Sequence, residues 1–226
     1  MTELMIGDIQ EELDGAVIIR APIPENMEQW AKQKPGKVLI KYCDSRKASP
    51  EQIKKTHAML NEIADWMGDY PEFVKNELKR KFIIEKLSDM ENEMFSFRDC
   101  DMEKARMFIS FLIDLMVQYN IPSKVPLYEQ AEDIQAYVYA CTMNKTCCIC
   151  GRKGVDLHHV SGSIIGMGGD RTKVNHLGRE VLPLCRGHHN EAHNGEKDFM
   201  QRYHIEPVKV DEAIAKLYRL NTKERR

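Results

Sequence analysis

The sequence has no apolar run approaching the ~18 residues that a membrane-spanning helix requires, so a soluble protein with no membrane partner is expected. Its first eight residues, Met1 to Asp8, lack a basic segment followed by an apolar one. A secretory leader is therefore not expected, and the chain is assigned to a reducing cytoplasm where disulfides do not persist. Strong charge of either sign is also missing, with a formal net charge of −2. No internal repeat or low-complexity tract is visible. The glycine-rich stretch from Ser161 to Arg171 lacks the Gly-Lys-Ser/Thr of a phosphate-cradling loop, which argues against a nucleotide site.

The 226 residues are 42% hydrophobic and 30% charged, which suits one or two globular domains and excludes disordered and fibrous classes. The seven cysteines are an odd number, and Cys147, Cys148, Cys150 and Cys185 share one short stretch. Six of the eight histidines lie in the same stretch: His158, His159, His176, His188, His189 and His193. Such clustering points to metal binding, not to pairing of thiols. Charge divides in the same way, −7 over residues 1–144 and +5 over residues 145–226, so the basic part is the better candidate to meet a polyanion.

The pattern of elements predicts an α+β fold. Apolar alternation in Leu4 to Ile9 and Ala16 to Ile19, around Asp14-Gly15, predicts a hairpin, and Lys37 to Tyr42 a third strand, with a short helix at Pro24 to Ala31 between. Ser49-Pro50-Glu51-Gln52 is a helix start with a capping box, and Ile53, Leu60, Ile63 and Met67 form one stripe that ends at Gly68. A second helix from Pro71 buries Phe73, Val74, Leu78, Phe82 and Ile83; Phe95 to Phe97 is a candidate strand. A third helix through Met107, Phe108, Phe111, Leu112, Leu115 and Met116 ends near Asn120, and a fourth runs from Tyr128 to Met143. A boundary near Asn144 would give two domains, 1–144 and 145–226.

Cys147-x2-Cys150 and Cys185-x2-His188 fit a tetrahedral structural Zn2+ site, since two-residue gaps let one turn present both donors to one ion. Cys147 is preferred to its neighbour Cys148 because it keeps that gap. His189 and His193, at i and i+4, share a helix face and can converge on a second cation. His158 and His159 end a predicted strand over Gly154 to Val160, where adjacent side chains take opposite faces and different roles.

Cys147-x2-Cys150, the Asp156-Leu157-His158-His159-Val160 strand, the glycine-rich loop and Leu184-Cys185-x2-His188-His189-x3-His193 together resemble an HNH endonuclease of the ββα-metal class with an embedded zinc knuckle. The resemblance covers about residues 145–205. It implies that His159 is the general base, that His158, His189 and His193 bind a catalytic divalent metal, and that the substrate is DNA. An imidazole-rich set suits Zn2+, Ni2+, Co2+ or Mn2+, while Mg2+ prefers oxygen donors, so the ion stays open. The chain departs from the family pattern at one place: Glu180 stands where the asparagine that orients the base is expected. Asn175 from the preceding loop, His176, and Glu180 itself are the alternatives for that role, and Glu180 is also a candidate metal-site carboxylate. Arg171 and Lys173 are candidate phosphate contacts.

Lys37 to Lys41, Ser45-Arg46-Lys47-x-Ser49-Pro50, the Gln52 to Trp66 helix and Phe95 to Met116 are similar to the phage Orf (NinB-like) recombination proteins, by element order across about residues 10–140. That resemblance implies a homodimer that binds single-stranded or branched DNA through Arg46, Lys47, Lys54 and Lys55. It also implies single-strand binding protein and a host recombinase as partners, within a bacterial host cell. The two readings combine into a DNA-processing nuclease positioned by a recombination domain. The alternative is a non-enzymatic mediator whose zinc module no longer cuts.

Overall fold

The structure is a computed structural model, and it describes residues 8–13, 16–20, 46–87, 94–162 and 174–222. Strands β1 (Asp8–Leu13) and β2 (Ala16–Arg20) pair antiparallel with Ile9 opposite Ile19; the hairpin is the expected one, but its first strand continues to Leu13 instead of ending at Ile9, and Leu4 to Gly7 lie outside the described residues. The strand expected at Lys37 to Tyr42 and the helix at Pro24 to Ala31 lie outside the described residues.

Helix α1 (Pro50–Met67) begins as its sequence dictates. Ser49 Oγ accepts the Gln52 N–H at 3.1 Å, and Gln52 Oε1 accepts the Ser49 N–H at 3.0 Å, so two otherwise orphaned donors are satisfied reciprocally. Gly68 closes the helix at φ 71°, a conformation that favours a residue without Cβ. Helix α2 (Pro71–Phe82) follows and buries Val74, Leu78 and Phe82, one residue per turn; a single π-turn over Ile83–Leu87 continues it. Phe73, expected on the buried side, is 53% exposed, because it sits about 100° around the helix from that stripe.

Phe95 to Phe97 forms no strand. The Phe95 carbonyl accepts a hydrogen bond from the Lys79 ammonium at 2.8 Å, and both rings fold into one aromatic cluster with Phe82 and Phe108. Helix α3 (Met102–Tyr119) is capped by Asp101 and released by Asn120 in the left-handed region. Its buried residues include Phe108, Phe111, Leu112 and Met116, four of the six read as its apolar face.

The single helix expected from Tyr128 to Met143 is two, α4 (Leu127–Gln130) and α5 (Ile134–Met143). The break has a tertiary cause. Glu132 turns back to α1, where it accepts from Gln52 at 2.7 Å and Lys55 at 3.2 Å, and Asp133 then restarts the helix by accepting the Ala136 N–H at 2.9 Å.

A three-stranded antiparallel sheet in the order β3-β4-β5 follows, built from β3 (Asp156–His159), β4 (Glu180–Leu184) and β5 (Val208–Lys209). Between β4 and β5 lie α6 (Arg186–His193) and α7 (Glu196–Tyr203), and α8 (Glu212–Tyr218) ends the described chain. The architecture is mixed helix and small sheet, an α+β fold. Helix α5, just before Asn144, packs on α3 on one side and on β4, β5 and α8 on the other. Tyr137 donates to the Cys148 carbonyl at 2.8 Å and Tyr218 to the Thr142 carbonyl at 3.0 Å, so polar contacts as well as apolar ones cross residue 144. No helix among the described residues is long and apolar enough to cross a membrane.

Candidate metal centres

Two groups of ligand-type side chains converge on α6. Cys147 and Cys150 sit on a knuckle closed by the Gly151 N–H donating to the Cys147 carbonyl at 2.9 Å and the Cys147 N–H to the Arg152 carbonyl at 2.8 Å. Gly151, at φ 69°, takes the left-handed conformation that the turn needs. Cys185 is the N-cap of α6, and His188 lies one turn along it.

The donor atoms of Cys147, Cys150, Cys185 and His188 all lie within 4.8 Å of one another. The Cys150 and Cys185 sulfurs are 3.7 Å apart, and His188 Nδ1 is 3.3 Å from Cys185 Sγ and 3.5 Å from Cys147 Sγ. A tetrahedral zinc ion with ordinary bond lengths would give edges of about 3.8 Å between sulfurs and about 3.6 Å between sulfur and nitrogen. The donor set fits zinc in both chemistry and spacing.

Burial pushes the Cys147 thiol up to about 12, so a metal must displace a firmly held proton there. Burial also raises Cys185, but the N–H groups at the start of α6, with the Cys150 and Cys147 sulfurs, outweigh it and bring that thiol below its usual range. Cys148 is outside the group. It is fully buried, its N–H donates to the Pro183 carbonyl at 3.1 Å, and burial raises its thiol well above the usual value.

The second group is His158, His189 and His193, whose donor atoms also lie within 4.8 Å of one another. The rings of His189 and His193 stack at 4.9 Å on one face of α6, and His158 meets both edge-on at 4.9 and 4.8 Å. Two buried nitrogens in this nest, His158 Nδ1 and His189 Nδ1, have no hydrogen-bond partner. An unpaired polar atom without water costs about 1–3 kcal/mol, and a cation between the rings would remove that cost at both atoms at once. The three histidines therefore fit a metal ion. Burial, and then the neighbouring His158 and His193, hold the His189 imidazole below its usual range, in the neutral form a ligand needs.

Sequence reasoning gave no notice of Glu196, at the start of α7. Its Oε2 lies 3.0 Å from His158 Nε2, and both carboxylate oxygens accept the Ser161 N–H, at 2.9 and 3.1 Å. Burial raises the Glu196 carboxyl, but the Ser161 N–H and His158 more than offset it and hold it below the usual carboxylate range.

His159, next along β3, pairs its Nε2 with Nδ1 of His176 at 3.1 Å. His176 is 2% exposed, and its backbone N–H donates to the Asn221 carbonyl at 2.9 Å, which ties it to the C-terminal segment. Of the three alternatives for orienting His159, His176 is the one the structure brings into direct contact in a hydrogen bond described here. Asn175 Oδ1 instead accepts the Leu177 N–H at 3.0 Å and shapes the turn. Glu180 sits opposite Lys209 in β5, one position from Val181, the residue opposite His159. It also borders an open groove of about 750 Å³, together with Asp114, Gln135, Tyr139, Met143 and Lys209; none of the clustered histidines lines it.

Arg46, Lys47 and Lys54 are exposed, Lys47 lying 3.5 Å from Asp99. Lys55 is half-buried, its ammonium held by Glu132 at 3.2 Å and by the Gln130 carbonyl at 3.1 Å. Arg171 and Lys173 lie outside the described residues.

A family model described as "Putative HNHc nuclease" matches residues 24–221. The chain belongs to this HNH nuclease family. Membership implies a hydrolase acting on nucleic acid, with the Cys and His clusters as sites able to hold metal. The match runs across residue 144, so the N-terminal helices belong to the HNH family unit as matched. "Uncharacterized protein YdfU" of Escherichia coli (strain K12) is similar too, 46% identical over 57 residues. That stretch is 25% of this chain and 15% of the E. coli protein, so the chain spans only a small part of that relative. No solved structure gives a significant match.

Proposed function

We propose that the protein is a metal-dependent endonuclease that hydrolyses DNA phosphodiester bonds at a site built from His158, His159, His189 and His193. The observation that carries the proposal is the pair of buried, unpartnered nitrogens on His158 and His189, beside a third imidazole and next in chain to the His159–His176 pair.

In this reading Cys147, Cys150, Cys185 and His188 hold zinc that is structural: four protein donors leave no open position for substrate. His158, His189 and His193 leave open positions. A cation held by these three would supply Lewis acidity and would neutralise charge developing on the phosphate. His159 takes the proton from the attacking water on Nδ1, its Nε2–H donating to His176 Nδ1. A neutral imidazole with a free ring nitrogen can accept a proton from water as a general base. His176 thus takes the orienting role that the resemblance gives to the family asparagine: its Nδ1 accepts the hydrogen bond from the His159 Nε2–H and fixes the ring. Arg46, Lys47 and Lys54 remain candidates to follow the DNA backbone. The recombination setting, with single-strand binding protein, a recombinase and a second copy of the chain as partners, rests on the N-terminal resemblance alone and forms no part of the proposal.

The test is cleavage. Protein holding its structural zinc is incubated with single-stranded, duplex and branched DNA, with Mg2+, Mn2+, Ni2+ or Co2+ added in turn, beside His159→Ala. Metal-dependent cleavage that disappears in the variant, with folding and DNA binding near native, is the expected result. Cleavage that survives in His159→Ala would remove the base assignment. DNA binding without cleavage under every metal would favour a non-cutting binding protein.

A further inference from the structure

Three polar groups meet at the inner end of β3: the His158 imidazole, the Glu196 carboxylate and the Ser161 N–H. His158 is 2% exposed, and the Glu196 side chain 13%. Both Glu196 oxygens already act as acceptors toward the Ser161 N–H, and an ionised carboxylate has no proton to give, so the hydrogen bond of 3.0 Å to His158 Nε2 is donated by the imidazole. A neutral imidazole carries only one N–H. With that proton on Nε2, Nδ1 is a lone pair, and Nδ1 is the buried atom with no protein partner.

We propose that Glu196 is a positioning residue of the tri-histidine centre: it holds His158 in the Nε2–H tautomer, so that the Nδ1 lone pair faces the cation. The inference rests on the metal-site reading given above and adds the atom through which His158 binds. Glu196 reaches both members of the arrangement because it is the first residue of α7, just after the turn that follows His193. The same carboxylate anchors the chain leaving β3 through the Ser161 N–H. One side chain therefore sets the ring of one ligand and the exit of its strand, and carboxylate–imidazole–metal relays of this kind commonly govern affinity.

The test uses the protein with one zinc per chain, Co2+ as the probe, and two variants, Glu196→Gln and Glu196→Ala. Glutamine has the size of glutamate and can still accept the Ser161 N–H through its carbonyl. It then turns its amide donors toward His158 Nε2, which favours the opposite tautomer with the proton on Nδ1. Alanine leaves the tautomer free. Native protein should bind one further Co2+ with a visible d–d spectrum. Both variants should bind it about tenfold to hundredfold more weakly, glutamine losing at least as much as alanine although its Tm stays native. Nitrogen-15 spectra before cobalt is added should place the His158 proton on Nε2 in the native protein and on Nδ1 in Glu196→Gln.

If Glu196→Gln binds Co2+ as tightly as native protein and keeps the Nε2 proton, the proposal fails while the metal site stands. A loss confined to alanine and accompanied by a lower Tm would make Glu196 a tether for Ser161 and overturn it as well. Should native protein take up no further Co2+, the tri-histidine reading itself falls, and this inference with it.

Discussion

At the scale of single residues, the proposed chemistry depends on which nitrogen of each imidazole is committed. His159 and His176 share one hydrogen bond, and His176 is buried. His176→Ala should lower kcat by a share of the roughly 10²- to 10⁴-fold that general-base catalysis contributes. KM and zinc content should stay unchanged, and His176→Asn should recover part of the loss by offering a carbonyl acceptor. Steady-state kinetics on the three proteins check this, and equal activity in all would dissociate His176 from the base. Asp114 offers a prediction of a different kind. Burial holds its carboxyl above the usual carboxylate range, with Lys86 offsetting part of the effect. Such a group disfavours the folded state wherever it is ionised. The cost is absent below the ordinary carboxylate pKa and complete above the raised one. Asp114→Asn should therefore raise Tm at pH 7 and leave it unchanged at pH 3; the same gain at both would point to a cause other than burial.

At the scale of elements, what could be read from sequence was whatever is decided locally. Ser49, Pro50, Gln52 and Gly68 specify α1 within their own neighbourhood, and the spacings of Cys147, Cys150, Cys185, His188, His189 and His193 group donors that the fold brings together. What escaped was decided over long sequence separations. The interruption between α4 and α5 depends on Gln52 and Lys55, more than seventy residues earlier, and Phe95 to Phe97 is irregular because its backbone answers to Lys79. Glu196 stands at no spacing that a motif would mark; only the approach of α7 to β3 reveals it. His176 was legible as one of several alternatives, and its burial against His159 sets it apart. The restart of α5 can be tested directly. Asp133→Ala removes the acceptor for the Ala136 N–H and should cost about 1 kcal/mol, read from the urea midpoint at constant m. Its ion pair with Arg106, 38% and 40% exposed, adds little to that.

For the whole molecule, α5 matters most, because it packs against both the N-terminal helices and the sheet that carries the metal centres. Cys185→Ser should bring zinc below one per chain and unfold the knuckle, since a structural metal supplies much of the folding free energy of so small a site. We expect the loss to reach α1. In a Trp30→Phe background, which leaves Trp66 as the sole tryptophan, denaturation followed by fluorescence and by zinc release should give coincident transitions, lowered together in the Cys185→Ser variant. Two separate transitions would support the expected boundary near Asn144 as a thermodynamic one.

Cys185, His188, His189 and His193 occupy a single helix of eight residues and its cap, so both candidate metal centres are read from one screw. Adding or deleting one codon between Cys185 and His188 would rotate everything beyond it by about 100° and disturb both groups of donors at once, whereas the same change between His189 and His193 would disturb the histidine group alone. Point substitutions at Arg186, Gly187, Asn190 or Glu191 leave that phase intact. Over this segment, natural variation should therefore be rich in replacements and empty of changes in length.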